Sequence, residues 1–265
     1  MWYFSADWHL GHSNIIKYCN RPFISREEEG LLSLVQSGSV PMKELKISRE
    51  TTDRMTDSII ENTNAVVGEN DSLVLLGDFC WTPVNNRREI AREYLKRINC
   101  RNVFLIWGNH DDRRALSGLF NACYDQYIFT VDGQKIFTSH YPCRSWDRST
   151  HGSWMLYGHV HNFLSIEDNG HLLPYEKKVY DHGFRDVLMR YGIENSQIVQ
   201  DLLSVCESTK GIDFTLDVGI DNHIRGSHIP FGTPWSFTEI CEHMKKKKDR
   251  WNLRDFDSKE GIASC

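Results

Sequence analysis

Five short apolar runs in this chain each end in side chains that can hold a metal ion, and that repetition limits the fold more than any other feature. Trp2-Tyr3-Phe4-Ser5-Ala6 leads into Asp7-Trp8-His9, and Ser72-Leu73-Val74-Leu75-Leu76 leads into Gly77-Asp78. Val103-Phe104-Leu105-Ile106-Trp107 precedes Gly108-Asn109-His110-Asp111, and Lys135-Ile136-Phe137-Thr138-Ser139 precedes His140. Trp154-Met155-Leu156-Tyr157 precedes Gly158-His159-Val160-His161. Runs of this length, bounded by glycine or polar residues, read as buried strands. Five strands therefore bring their polar ends to one mouth of loops. Asp78 stands at the centre, because the two oxygens of a carboxylate can bridge two cations. The pattern predicts a two-metal hydrolytic site.

What lies between the runs sets the fold class. Met55, Ile59, Ile60 and Val66 repeat at helical spacing, as do Ile90, Ala91, Tyr94, Leu95 and Ile98. Ser25-Arg26-Glu27-Glu28 has the form of a capping box for a short helix, and residues 30 to 50, with Gly38 and Pro41, read as a surface insertion. The order β, α, β, α, β favours a layered α/β domain containing parallel strands. Tyr127 to Val131, the pair Asp132-Gly133, and Gln134 to Ser139 then spell a hairpin.

Beyond His161 the pattern breaks. Phe184, Val187, Leu188 and Tyr191 form one amphipathic stripe, and Ile198, Leu202, Val205 and Cys206 another, with Gly192 between them as a helix stop. A strand from Phe214 to Ile220 leads to Asp221, and Phe237 to Lys247 forms a closing helix. The expected organisation is one domain over 1–248, a helical insertion at about 162–213, and a polar tail over 249–265. Both ends of the insertion lie near the expected site mouth, where it could select substrates or bring copies of the chain together.

Composition removes several classes. The net charge of −5 and the lack of a basic stripe argue against a dedicated duplex-DNA binder, and Lys245 to Lys248 reads as a solvated helix C-terminus. Eight cysteines are scattered with no Cys-x-x-Cys pair, so neither a zinc knuckle nor a thioredoxin-like motif is indicated. No stretch is long and apolar enough to span a membrane. Cleavage of a signal peptide would remove Asp7 and His9, so the expected compartment is a reducing cytoplasm.

Taken singly, His9 or His140 would be a satisfied core histidine and Asn109 a turn residue; the ordered set is what carries weight. With that set, the chain resembles the calcineurin-like metallophosphoesterases, whose blocks are Asp-x-His, Gly-Asp, Gly-Asn-His-Asp/Glu, a lone His and Gly-His-x-His. All five occur in order, at Asp7 to His9, Gly77-Asp78, Gly108 to Asp111, His140 and Gly158 to His161. Asp7-Trp8-His9-Leu10-Gly11-His12, Asn20-Arg21-Pro22-Phe23 and Leu216-Asp217-Val218-Gly219-Ile220-Asp221 are further similar to a small bacterial and phage branch. The resemblance covers residues 1 to about 161 and 214 to about 243, and it implies an α/β/β/α sandwich.

It also implies residue roles. One metal would take Asp7, His9, Asp78 and His161; the second would take Asp78, Asn109, His140 and His159. Asp78 would bridge them, and a hydroxide between the ions would attack phosphorus. His110, left without a ligand place in this scheme, would protonate the leaving oxygen or stabilise charge on it. His12, Arg21, Tyr141 and Arg144 are candidate phosphate or substrate contacts, as is Asn109. Asp111 and Asp112 would support the site or face solvent, and Asp221 and His223 read as a strand-end turn. Mixed imidazole and carboxylate ligands suit borderline ions such as Mn²⁺, Fe²⁺, Zn²⁺, Co²⁺ or Ni²⁺ rather than Ca²⁺, and two Mn²⁺ ions are the expected cofactors.

Phe79-Cys80-Trp81 follows Gly77-Asp78, in place of the x-x-Asp-Arg-Gly of serine/threonine phosphoprotein phosphatases, so that substrate class is disfavoured. Mre11-like nucleases carry a longer capping region than residues 162–213 provide. A phosphodiesterase acting on a small phosphodiester or nucleotide is the expected function. A phosphomonoesterase and a nuclease are its enzymatic alternatives. A non-catalytic scaffold, as in the retromer subunit of this fold, is the alternative from another class; it would lack the complete residue set retained here.

Overall fold

The computed structural model describes residues 1–81, 85–143, 146–161, 215–222 and 224–246. Two sheets face each other. The first holds β1 (Trp2–Ser5), β2 (Ser72–Leu75), β3 (Asn102–Ile106), β4 (Ala122–Tyr124) and β9 (Trp235–Ser236), in the order β4-β3-β2-β1-β9. All neighbours in it are parallel except the β1–β9 pair. The second holds β5 (Gln126–Val131), β6 (Gln134–Ser139), β7 (Trp154–Tyr157) and β8 (Thr215–Asp217) in sequence order. The α/β sandwich expected from sequence is thus present.

The unbroken apolar runs follow from burial on both faces. Along β2 and the residue after it, Leu73 and Leu75 face a helical layer, whereas Val74 and Leu76 face the other sheet. The helical layer contributes Ile15 and Ile16 from α1 (Ser13–Tyr18), Met55, Ile59 and Ile60 from α3 (Arg49–Val66), and Ala91 from α4 (Arg87–Lys96). Between the sheets, Phe4, Ala6 and Ile106 meet Phe129, Ile136, Leu156 and Leu216, and α6 (Phe237–Lys246) adds Ile240 and Met244. On the outer face of the second sheet, Trp146 packs against Met155 and Tyr157. Among the described residues, no helix of four turns or more lies there.

The hairpin has its two-residue turn: Val131 pairs with Gln134, and Asp132 and Gly133 have φ of 49° and 83°, the left-handed pair that matches strand twist. The capping box is also present. Ser25 Oγ accepts from the amide of Glu28, whose carboxylate accepts from the amide of Ser25. That helix, α2 (Arg26–Gln36), is three turns long rather than short, so residues 30–36 belong to it and not to a surface insertion. Leu45 is buried as well, and Lys17 Nζ donates to its carbonyl. A short helix, α5 (Arg113–Leu116), follows the third strand.

Lys245 and Lys246 close α6 exposed to solvent; Lys247 and Lys248 lie outside the described residues. So do the insertion at 162–213, the tail, Arg144 and His223. No helix among the described residues is long and apolar enough to cross a membrane.

One junction positions the site. Past the end of β1, the amide of Ala6 donates to the carbonyl of Val218, and the amide of Ile220 donates to the carbonyl of Ala6. The two sheets therefore meet where their polar strand ends converge.

Candidate metal centre

Three of the strand ends turn sharply. Asp7, His9, Asp78, His159 and His161 all have positive φ, from 45° to 72°. Left-handed backbone costs about 1–3 kcal/mol at a non-glycine residue, although Asp and His tolerate it better than most. Side chains two apart on an extended segment share a face, as Asp7 with His9 and His159 with His161, and the turns carry these pairs into the site. Main-chain hydrogen bonds hold the turns: the amide of Asp7 donates to Gly77 O, and that of His9 to Asp78 O.

The result is two ligand-capable groups with one member in common. Asp7, His9, Asp78 and His161 offer atoms within 4.8 Å of one another, and so do Asp78, His140 and His159. Asp78 uses one oxygen, Oδ1, to accept from the amide of His110 at 2.8 Å. Its Oδ2 is buried without a hydrogen-bond partner, 3.4 Å from His9 Nε2 and 3.5 Å from His140 Nε2. Both ring nitrogens of His9 are also buried and unpartnered. Buried polar atoms are rarely left unsatisfied in native proteins. A divalent cation on each side would satisfy these, and the mixed carboxylate and imidazole donors fit such ions.

Two imidazoles are oriented by their other nitrogen. His140 Nδ1 lies 2.8 Å from Leu76 O, so its proton sits there and Nε2 faces Asp78 and Asn109, whose Oδ1 is 3.0 Å away. His161 Nδ1 lies 2.6 Å from Asp221 Oδ2, which likewise leaves Nε2 for a cation.

Without a cation, these groups titrate far from their ordinary ranges. Burial opposes protonation of His140, but the adjacent Asp78 carboxylate and the charge of Asp7 push it up to about 9. Burial also opposes His161, and the Asp221 hydrogen bond pushes it up to about 11. His9, buried without such support, is held well below the usual histidine range. Burial raises Asp7, whereas for Asp78 it is outweighed by His140 and His9, which hold that carboxyl well below the usual range. A metal must displace the protons on His140 and His161, so its binding weakens as pH falls.

Glycine is required beside this carboxylate. A Cβ at Gly108 would stand 2.3 Å from Asp78 Oδ1, and one at Gly77, where φ is 92°, would stand 2.3 Å from His140 Nδ1. Asp111 accepts from the amides of Asp78, Phe79 and Gly108, tying the second and third strand ends together. Asp112 caps α5 and pairs with Arg87.

The candidate substrate contacts separate. His110 and Asn109 are exposed on the loop after β3, and the His110 ring lies 5.1 Å from that of His9. His12 sits at the rim, 5.4 Å from the ring of His9. Tyr141 is 47% exposed and edge-on to His159 at 4.6 Å.

Arg21 is different and corrects the expectation. It is 2% exposed, its Nε and Nη2 donate to the two oxygens of Asp221, and Nη2 and Nη1 donate to the carbonyls of Asp7 and Trp8. With its donors taken by protein, Arg21 is a buttress rather than a substrate contact. Asp221 is correspondingly more than a strand-end turn, since it links Arg21 to His161. Cys19, His161 and Asp221 also approach one another closely, but Arg21 and His161 already satisfy both Asp221 oxygens, so that group needs no cation.

Asp221→Asn should weaken metal binding by the group containing His161 by about 10–100-fold, the usual effect of losing an outer partner of a ligand. The group containing His159 should be spared. Competition titration with a chelator would measure both; equal losses would mean that Asp221 acts through the whole fold instead.

Comparison with known proteins gives four likenesses. A family model described as calcineurin-like phosphoesterase matches residues 4–200, running past His161 into the stretch read from sequence as an insertion. An uncharacterized protein of Methanocaldococcus jannaschii is 31% identical over 159 residues, spanning 60% of this chain and 68% of that one. Among solved structures, a protein of unknown function from Aquifex aeolicus is 25% identical with a TM-score of 0.40, over 61% of this chain and 79% of its own. An archaeal phosphodiesterase is 20% identical with a TM-score of 0.29, over 39% and 65%.

Proposed function

The chain belongs to the calcineurin-like phosphoesterase family and is a metal-dependent phosphoric ester hydrolase, and from that premise we propose a dinuclear phosphodiesterase acting on a small phosphodiester or nucleotide. One observation carries the reading: the unpartnered Oδ2 of Asp78, buried between His9 Nε2 and His140 Nε2, one from each ligand-capable group. Asp7, His9 and His161 would hold one cation, and Asn109, His140 and His159 the other, with Asp78 common to both. When bound, such ions draw charge from phosphate oxygens and make hydroxide available at neutral pH.

The protein's own groups do the rest. The left-handed turns hold the donors fixed before substrate arrives, so little reorganisation accompanies binding. Asn109 and His110, exposed at the mouth, are where a phosphate held over Asp78 would come within reach. His110 delivers a proton to the departing ester oxygen, which matters most for the poor alkoxide leaving groups of diesters. Trp81 packs edge-on against His110, in place of the carboxylate that partners the corresponding histidine in phosphoprotein phosphatases.

A manganese-supplemented screen of cyclic nucleotides, dinucleotides, nucleoside monophosphates and short oligonucleotides tests the reading. Turnover of cyclic or dinucleotide diesters is expected. Turnover of monoesters alone would make the protein a phosphomonoesterase, and activity confined to oligonucleotides a nuclease. Metal binding with no turnover of any would leave a scaffold.

A further inference from the structure

We infer that the cavity beside His110 is a nucleobase subsite, in which the base of a nucleotide stacks on the open face of Trp81. This rests on the proposed function, because a phosphate held at the metal centre is what brings the base to the cavity.

The cavity has a volume of about 350 Å³ and is lined by Trp81, Arg87, Asn109, His110, Asp112 and Leu116 among others. That lies within the range of small-molecule sites, about 300–1,000 Å³. It shares Asn109 and His110 with the phosphate-facing loop, so a ligand could occupy both without leaving the protein surface.

Trp81 is unusual for so large an apolar side chain. The residue is 44% exposed, yet its backbone is held in place. The Trp81 amide donates to Leu10 O at 2.9 Å, and the Leu10–Cys80 bridge holds the preceding residue. The ring stacks on His12 at 4.8 Å and 20°, and stands edge-on to His110 at 5.2 Å and 68°. His12 covers one face, and among the described residues no ring stacks on the other, so the ring is a platform that gains by receiving a flat π system.

The polar groups narrow the ligand. Arg87 Nη1 donates to Asp112 Oδ2 at 2.7 Å, and both side chains are about one-third exposed. A flat face, a guanidinium and a carboxylate acceptor together match the ring, acceptor edge and amino groups of a nucleobase. An alkyl group would engage neither charge, and a second phosphate would meet the Asp111 and Asp112 carboxylates.

The test uses the full chain loaded with manganese, titrated calorimetrically with adenosine 5′-monophosphate and with ribose 5-phosphate. The pair shares phosphate and sugar and differs by the base. Adenosine 5′-monophosphate should bind at least about tenfold more tightly, equivalent to about 1.4 kcal/mol and at the low end for base stacking. In Trp81→Ala the ratio should collapse to within about twofold, and Trp81→Phe, which keeps a ring, should restore most of it.

Equal affinities in the native protein, or a preference that survives Trp81→Ala, would overturn the subsite and leave the phosphate reading standing. Failure of both compounds to bind would overturn the two together.

Discussion

Asp78→Asn should strip the protein of both metal ions and lower its phosphoesterase rate by about three orders of magnitude or more. The substitution is mild in shape. Asparagine keeps an Oδ1, which can still accept from the amide of His110 as Asp78 does at 2.8 Å. Its Nδ2 would replace Oδ2, setting an N–H donor between His9 Nε2 and His140 Nε2, where the native atom offers lone pairs and charge. Both ligand-capable groups contain Asp78, so both lose their common anion. Metal ions contribute several kcal/mol of transition-state stabilisation, and each 1.36 kcal/mol is about tenfold in rate. Elemental analysis after purification without chelators should fall from about two equivalents per chain to a small fraction of one. Unchanged occupancy would remove Asp78 from the centre of the site.

His110→Ala separates the proton donor from the metal centre. The hydrogen bond to Asp78 comes from the backbone of residue 110, not from the imidazole, and the residue is exposed. The variant should therefore fold and keep its metal while losing roughly 10²–10⁴ in rate, the usual contribution of a positioned general acid. The loss should be smallest for a nitrophenyl ester, whose leaving group needs little protonation. An equal loss for good and poor leaving groups would assign His110 to charge stabilisation. Lost metal would assign it to the scaffold.

The parts of this fold legible in the sequence are those fixed by local pattern. The run from Ser72 to Leu76 reads as a buried strand because both faces are covered, and Asp132-Gly133 reads as a turn because both residues adopt positive φ. Elements too short to show a period escaped: β4 has three residues, β9 has two, and α1 has six. For the site, candidate ligands immediately after strands could be found because strand ends converge in a layered sheet.

Arg21 and Asp221 are 200 positions apart, and no spacing rule joins them. A polar residue in a connection reads as solvent- or substrate-facing. What makes Arg21 structural is that the turns at Asp7 and Trp8 bring their carbonyls to its guanidinium. The one available clue was positional, since Asp221 follows an apolar run just as Asp7 and Asp78 do. The Trp81 and Arg87 cavity was equally hidden, because its walls come from the loop after β2, the start of α4 and the segment before α5.

The account stands on Asp78 as the shared ligand of two ions, and anomalous diffraction from crystals loaded with manganese tests this most directly. Two peaks are expected about 3.5–4 Å apart, the spacing of two-metal hydrolytic sites. The Asp78 carboxylate should lie between them, with His9 and His161 on one side and His140 and His159 on the other. A single peak, or two peaks that do not share Asp78, would contradict it.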